Sequence, residues 1–252
     1  VITRQAALPG FEQAAFDDPG AIFATATHLV ATAAPDAQGD PVLARHGSAI
    51  ATAPCLRWAG YLSTTGIYGD RGGAWVDETT PPAPSNERGL RRLAAEQAWT
   101  AIRPDLPIDL LRLAGIYGPG RSVLDDVRSG RARRVDKPGH LFGRIHRDDI
   151  TGALLAAMVQ TRAPGPRVLN GCDDEPAAGA DVIAEAARLL DRPLPPLVPF
   201  ADAMAAMSPM GRSFWADNRK VRSAITQQAL GRPWLYPSYR EGLRAVLLAE
   251  QG

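Results

Sequence analysis

Tyr61-Leu62-Ser63-Thr64-Thr65-Gly66-Ile67-Tyr68-Gly69 and Leu111-Arg112-Leu113-Ala114-Gly115-Ile116-Tyr117-Gly118-Pro119-Gly120 decide the fold. Each is a mainly apolar run that breaks into small residues. That pattern belongs to a buried parallel strand ending at the carboxyl edge of an open sheet, where such sheets form ligand crevices. The strands themselves are expected over Ala59 to Thr65 and Ile108 to Ile116. Between them a helix is predicted from about Asn86 to Ala101, with Leu90, Leu93, Ala94, Ala98 and Ala101 at helical spacing as its core side. Upstream, the run from Thr27 to Ala34 reads as another buried strand stopped at Pro35, and Val42, Leu43, His46, Ala49 and Ile50 trace a helix. Strands alternating with helices imply right-handed crossovers and a doubly wound parallel α/β sheet.

The loop from Asp70 to Pro84 is long, polar and rich in glycine and proline, which points to a functional or lid-like segment. Beyond Gly120 the reading gives a short helix at Ser122 to Val127, a basic stretch to Gly143, a helix over Ile150 to Gln160, a strand at Arg167 to Asn170 and a helix over Asp181 to Leu190. The proline-rich run Asp191 to Pro199 is expected to be irregular. A last helix starts at Ser238, with Glu241 at capping-box spacing.

Composition excludes several classes. With 252 residues, 45% of them hydrophobic, the chain can bury a full core, and a net charge of +1 creates no field that would recruit nucleic acid or membrane. Cys55 and Cys172 lack metal-ligand spacing, and the four histidines are scattered, so no metal site is expected. No apolar run reaches the roughly 18 residues of a membrane helix, and no leader precedes the first strand, so a soluble cytoplasmic protein is expected.

Four segments in order, Leu62 to Gly69, Leu111 to Gly120, Arg144-Ile145-His146-Arg147-Asp148-Asp149-Ile150 and Val168-Leu169-Asn170-Gly171-Cys172-Asp173-Asp174-Glu175-Pro176, resemble the extended, atypical branch of the short-chain dehydrogenase/reductase superfamily, the NAD-dependent epimerase/dehydratase-like proteins. The resemblance implies a Rossmann-like domain over residues 1–121 and 144–170 and a smaller substrate lobe over 122–143 and 171–252. It also implies NAD or NADP as cofactor, a small or nucleotide-linked, sugar-like substrate, and a homodimer built through the Asn86 to Ala101 helix. Family members open with a strand and a glycine-rich pyrophosphate turn. The match places roughly 40 such residues ahead of Val1 and leaves no glycine ligand to name. Arg4 is either part of a phosphate-selecting turn or a solvated arginine.

Carried over by position, Asp17 approaches the adenine, and Thr32, Ala33, Ala34, Ser63, Leu113, Gly115 and Ile116 line the dinucleotide. Thr64 takes the place of the hydroxyl that bonds the substrate's reacting oxygen, with Ser63 and Thr65 as rivals. The family's tyrosine and lysine fall on Arg88 and Arg92. A guanidinium is a poor general base, so ordinary proton transfer is in question. The two arginines share a helix face, where they either hold an anion, whether a substrate carboxylate, a phosphate or the acidic loop Asp77-Glu78, or stand solvated with Glu96 pairing Arg92. Tyr68 and Tyr117 remain as substitute acids or as packing groups. In related proteins the region of Arg121, Arg134, Lys137, Arg144 and His146 contacts a nucleotide-sugar diphosphate; Tyr117, Arg121, Arg144 and Thr65 are the substrate-binding candidates. His146 with Asp149 reads as a helix start. A catalytically silent dinucleotide sensor or scaffold is the rival to an enzyme.

Overall fold

The computed structural model describes residues 2–3 and 10–250; Arg4 and most of the turn at Leu8 lie outside them. Short strands β1 (Ile2–Thr3) and β2 (Ala14–Ala15) pair in parallel, and α1 (Ile22–Thr25) leads into β3 (His28–Ala31). Helix α2 (Pro41–Ala51) starts where Asp40 accepts from the backbone of Val42 and Leu43 and where Pro41 fills the first helical position, which needs no donor. Strand β4 (Trp58–Thr64) runs into a 3-10 turn (Thr65–Tyr68), then β5 (Trp75–Val76) and α3 (Glu87–Ile102). Next come β6 (Pro107–Leu113), β7 (Gly115–Tyr117), α4 (Val123–Arg128), β8 (Arg134–Asp136), β9 (Arg144–His146), α5 (Arg147–Met158) and β10 (Gly165–Gly171). The last part holds α6 (Gly179–Leu189), β11 (Leu197–Pro199), α7 (Phe200–Ala206), α8 (Pro209–Phe214), β12 (Lys220–Val221), α9 (Ala224–Leu230) and α10 (Tyr239–Ala249).

The central sheet has the order β10-β6-β4-β3 and is parallel throughout, as the alternating pattern requires. Thr64 is level with Leu113, and Leu113 with Gly171, so three strands end on one edge. Tyr61, Trp99, Ile108 and Leu110 belong to a core between the sheet and α2 and α3. A second core gathers Tyr117, Leu124, Val182, Ala186, Leu243 and Val246 around α4, α6 and α10. Among the described residues no helix is long and apolar enough to cross a membrane, and no group of histidine, cysteine, aspartate or glutamate could hold a metal.

Four expectations are corrected. The helix α3 starts as read, with Asn86 accepting from Gly89, but its core side is rotated. Leu90 is 55% exposed and Ala94, Ala98 and Ala101 face outward, while Gly89, Ala95, Glu96 and Trp99 are buried. The cause is ionic: Arg112 on β6 grips Glu96 in a bidentate pair, at 3.2 and 2.9 Å, and a charge that deep must be paired, so it sets which side turns in. The run Ile108 to Ile116 is two strands, because at Ala114 the chain leaves the central sheet and β7 pairs with β9. Proline does not keep Leu197–Pro199 irregular; it forms the parallel edge partner of β8, a position that tolerates a missing donor. The Asp70 to Pro84 loop is not free: β5 pairs with β12, and Asp70 accepts from the Asn218 amide.

Candidate active site

Thr64 caps the 3-10 turn, and its hydroxyl oxygen accepts from the Gly66 amide at 3.1 Å, which leaves the hydroxyl proton free to donate. Thr65 is buried, and so is Ser63, whose hydroxyl has no partner among the described residues. Beside them, the exposed Thr32 and Ala34 and the half-buried Ala33 follow the end of β3. Arg92 joins the two strand ends. Its Nη1 donates to the Leu62 carbonyl at 2.9 Å, the Tyr61 hydroxyl at 2.9 Å and the Ala33 carbonyl at 3.3 Å. Arg92 is therefore neither solvated nor paired with Glu96. Burial pushes the Tyr61 phenol up to about 12, with Arg92 opposing, so this hydroxyl stays protonated at neutral pH.

Arg88 sits in the first turn of α3, exposed, with its guanidinium 5.7 Å from the Phe214 ring centre. The acidic loop does not reach it. Asp77 accepts from Thr79 and Thr80, and Glu78 accepts from the Thr226 amide and hydroxyl. Tyr68 is fully buried and donates to Asn170 at 2.9 Å with Arg112 over its ring, which keeps its phenol out of reach of a ligand at the sheet edge. Asp17 lies at the surface with its carboxylate 3.6 Å from Arg45.

The remaining candidates collect elsewhere. Gly115, Ile116, Tyr117, Arg121 and Arg144 line a cavity of about 450 Å³ together with residues of α4, α6 and α10; none of Ser63, Thr64, Thr65, Arg88 and Arg92 lines it. The Arg144 guanidinium donates to the carbonyls of Phe142 and Ala177 and has no ion pair among the described residues. Tyr117 is 8% exposed; its hydroxyl has no partner among the described residues and presses on Gly242, where a Cβ would stand 1.8 Å away. Asp173 is 1% exposed with no side-chain partner for its carboxylate among the described residues, and burial raises its pKa to about 8 against the charge and backbone amide of Arg144. His146 caps α5 by accepting from the Asp148 amide, whereas Asp149 ties down the backbone of Leu235 and Tyr236. The basic series is not one patch: Arg134 donates to the carbonyls of Ala180 and Pro195, and Lys137 to that of Trp215.

One arginine escaped the sequence reading. Arg219, just before β12, donates from Nη1 to the Gly69 carbonyl at 3.1 Å and meets Asp217 at 3.2 Å. Its Nη2 stands 3.9 Å from the place a Cβ would occupy on Gly66, a place 3.3 Å from the Thr64 hydroxyl oxygen. The signal was weak, since Asn218-Arg219-Lys220 has no apolar period and its partners are about 150 residues away in sequence.

No family model matches the chain. A conserved protein of unknown function from Silicibacter pomeroyi DSS superimposes with a TM-score of 0.87 at 48% identity, over 94% of this chain and 83% of that one. The chain belongs to that protein's family. Protein YeeZ of Escherichia coli K12 is 33% identical over 131 residues, 52% of this chain and 45% of its own, so the chain spans about half the length of the curated relatives it matches. The human epimerase family protein SDR39U1, solved with NADPH, superimposes with a TM-score of 0.75 at 19% identity, over 97% of this chain and 89% of that one. That likeness is one of fold: a Rossmann-like α/β sheet with a smaller C-terminal lobe.

Proposed function

We propose that this chain is part of a cytoplasmic NAD(P)-dependent oxidoreductase of the epimerase/dehydratase type. The observation that carries the reading is Arg92. It stands where the family has its lysine, joins the ends of β3 and β4 beneath Thr64, and keeps Nε and Nη2 without partners among the described residues. Those nitrogens, the unpartnered Ser63 hydroxyl and the exposed Thr32 and Ala34 suit the nicotinamide end of a dinucleotide, which SDR39U1 holds as NADPH. No glycine-rich phosphate turn lies among the described residues, so only that half of the cofactor is assigned. A bound nicotinamide supplies hydride transfer. Thr64 donates its hydroxyl proton toward the substrate's reacting oxygen, and Arg92 holds the strand ends, since a guanidinium is a poor general base. With Arg88 in place of the tyrosine, the proton at that oxygen exchanges with water. The substrate is a small or nucleotide-linked polar molecule, with Arg121 and Arg144 available to an anionic portion. The exposed Leu90, Ala94, Ala98 and Ala101 face of α3 is the proposed homodimer contact.

Calorimetry of the intact chain with NADH and NADPH tests this reading, and no binding of either at millimolar concentration ends it. A silent dinucleotide sensor is favoured by the same Arg88. Cofactor binding without hydride transfer to any member of a broad carbonyl panel would select it.

A further inference from the structure

Three arginines stand on the elements that meet at the end of β4, Arg88 and Arg92 on α3 and Arg219 just before β12. Arg92 is bonded only to neutral oxygens. The first turn of α3 abuts the 3-10 turn, since Gly89 has its Cβ position 3.5 Å from the Gly66 carbonyl, and the exposed Arg88 beside it has its guanidinium 5.7 Å from the Phe214 ring centre. Arg219 lies across Gly66. Of the three, Arg219 alone has a carboxylate in contact, Asp217, which also accepts from Ser85. Asp70 acts on Arg219 from further off and is itself bonded to the amides of Asn218 and Gly72. Neighbouring acids are taken: Glu87 pairs Arg91, and Glu96 pairs Arg112. Arg88 and Arg92 thus carry no ion pair among the described residues.

The mounting of Arg219 is that of a binding group. Its side chain is 17% exposed, and Nη1 is fixed by Gly69 and Asp217, whereas Nη2 has no partner among the described residues and faces the glycine next to Thr64. Glycine at 66 leaves the space open; a larger residue would fill the gap between Thr64 and Arg219. A guanidinium held by one edge with the other free matches a planar carboxylate.

We propose that the crevice over Thr64 takes a hydroxy- or oxo-carboxylate, with the free edge of Arg219 and the exposed Arg88 holding the carboxylate beside the oxygen that Thr64 contacts. This deepens the oxidoreductase reading and rests on it for the chemistry. Arg219 thereby sets substrate class, and Arg88 works as an anion holder in the position where a proton carrier would stand.

The test titrates the intact chain by calorimetry with oxamate, a planar carboxylate bearing a carbonyl, with oxamide, its neutral counterpart, and with inorganic phosphate. NADH binding is followed separately by fluorescence. Oxamate is expected to bind, and oxamide and phosphate at least roughly tenfold more weakly. Arg88→Gln should weaken oxamate about tenfold with an unchanged melting temperature, since that side chain is exposed. Arg219→Gln should weaken it further, and Arg219→Lys should restore part of the loss. Absence of oxamate binding, equal binding of oxamide or phosphate, or undiminished oxamate binding by both glutamine variants overturns the proposal. Selective oxamate binding without NADH binding removes the cofactor reading and leaves the carboxylate subsite standing.

Discussion

The strand-edge crevice and the cavity beyond β7 each hold an arginine and a tyrosine, hydrogen-bonded to one another in the first and not in the second. At the crevice Arg92 has three acceptors on one nitrogen, Tyr61 is bonded to it, and the acid of α3, Glu96, is locked to Arg112. At the cavity, among the described residues, the Tyr117 hydroxyl has no partner and Arg144 has carbonyls but no ion pair; Asp173, which does not line it, is buried nearby in the field of Arg144. Low dielectric strengthens a complete network and penalises an incomplete one. The first region fixes its strand ends through one edge of Arg92 and keeps the Ser63 hydroxyl unpartnered among the described residues; the second leaves the Tyr117 hydroxyl so.

The contrast breaks most visibly at Glu96. Glu96→Ala leaves the Arg112 charge buried and alone, and should cost about 3–5 kcal/mol in urea unfolding. Removing the acid from the other region should act in the opposite sense. The Asp173 carboxyl, near 8 in the folded chain, ionises near 3.9 when unfolded, so stability is fully present below pH 4 and is lost as pH rises toward 8. Asp173→Asn should abolish that decline and raise the melting temperature at pH 8, by an amount on the order of 2 kcal/mol or more. Thermal melts from pH 4 to 9 read this directly; a wild-type curve without the slope would remove Asp173 from the unsatisfied set.

Arg92→Met should cost about 2 kcal/mol, because the carbonyls of Leu62 and Ala33 and the Tyr61 hydroxyl lose their donor. NADH affinity should fall with it, whereas Arg144→Met should leave NADH affinity within about twofold. Equal losses from both variants would mean that the two regions serve one ligand site. The smallest effect is expected on the outer face of α3: Leu90→Asp should shift light scattering from dimer to monomer while changing monomer stability by less than about 0.5 kcal/mol.

Much of the fold was legible because its signals are local. Strand runs ending in small residues, the helix starts at Asn86 and Ser238 and the helical spacing of Val42, Leu43, His46 and Ile50 depend on neighbours within four residues. The candidate site residues do not form one group: Ser63 and Thr64 close β4 and Arg92 bonds the Ala33 carbonyl after β3, but Gly115, Ile116, Tyr117 and Arg144 line a different space. Nothing in the letters from Leu111 to Tyr117 marks Ala114 as the point where the chain leaves the sheet, because departure depends on a partner, β9, further along the chain.

Sequence alone determined the alternation of strands and helices and the parallel sheet whose strands end on one edge. Tertiary structure decided which face of α3 is buried, what Arg92 holds, and that Arg219 comes to Thr64. The physical reason is common to all three. Each depends on a charged side chain finding a partner distant in sequence, and the electrostatic cost of a charge left unpaired outweighs the local preference of an apolar stripe.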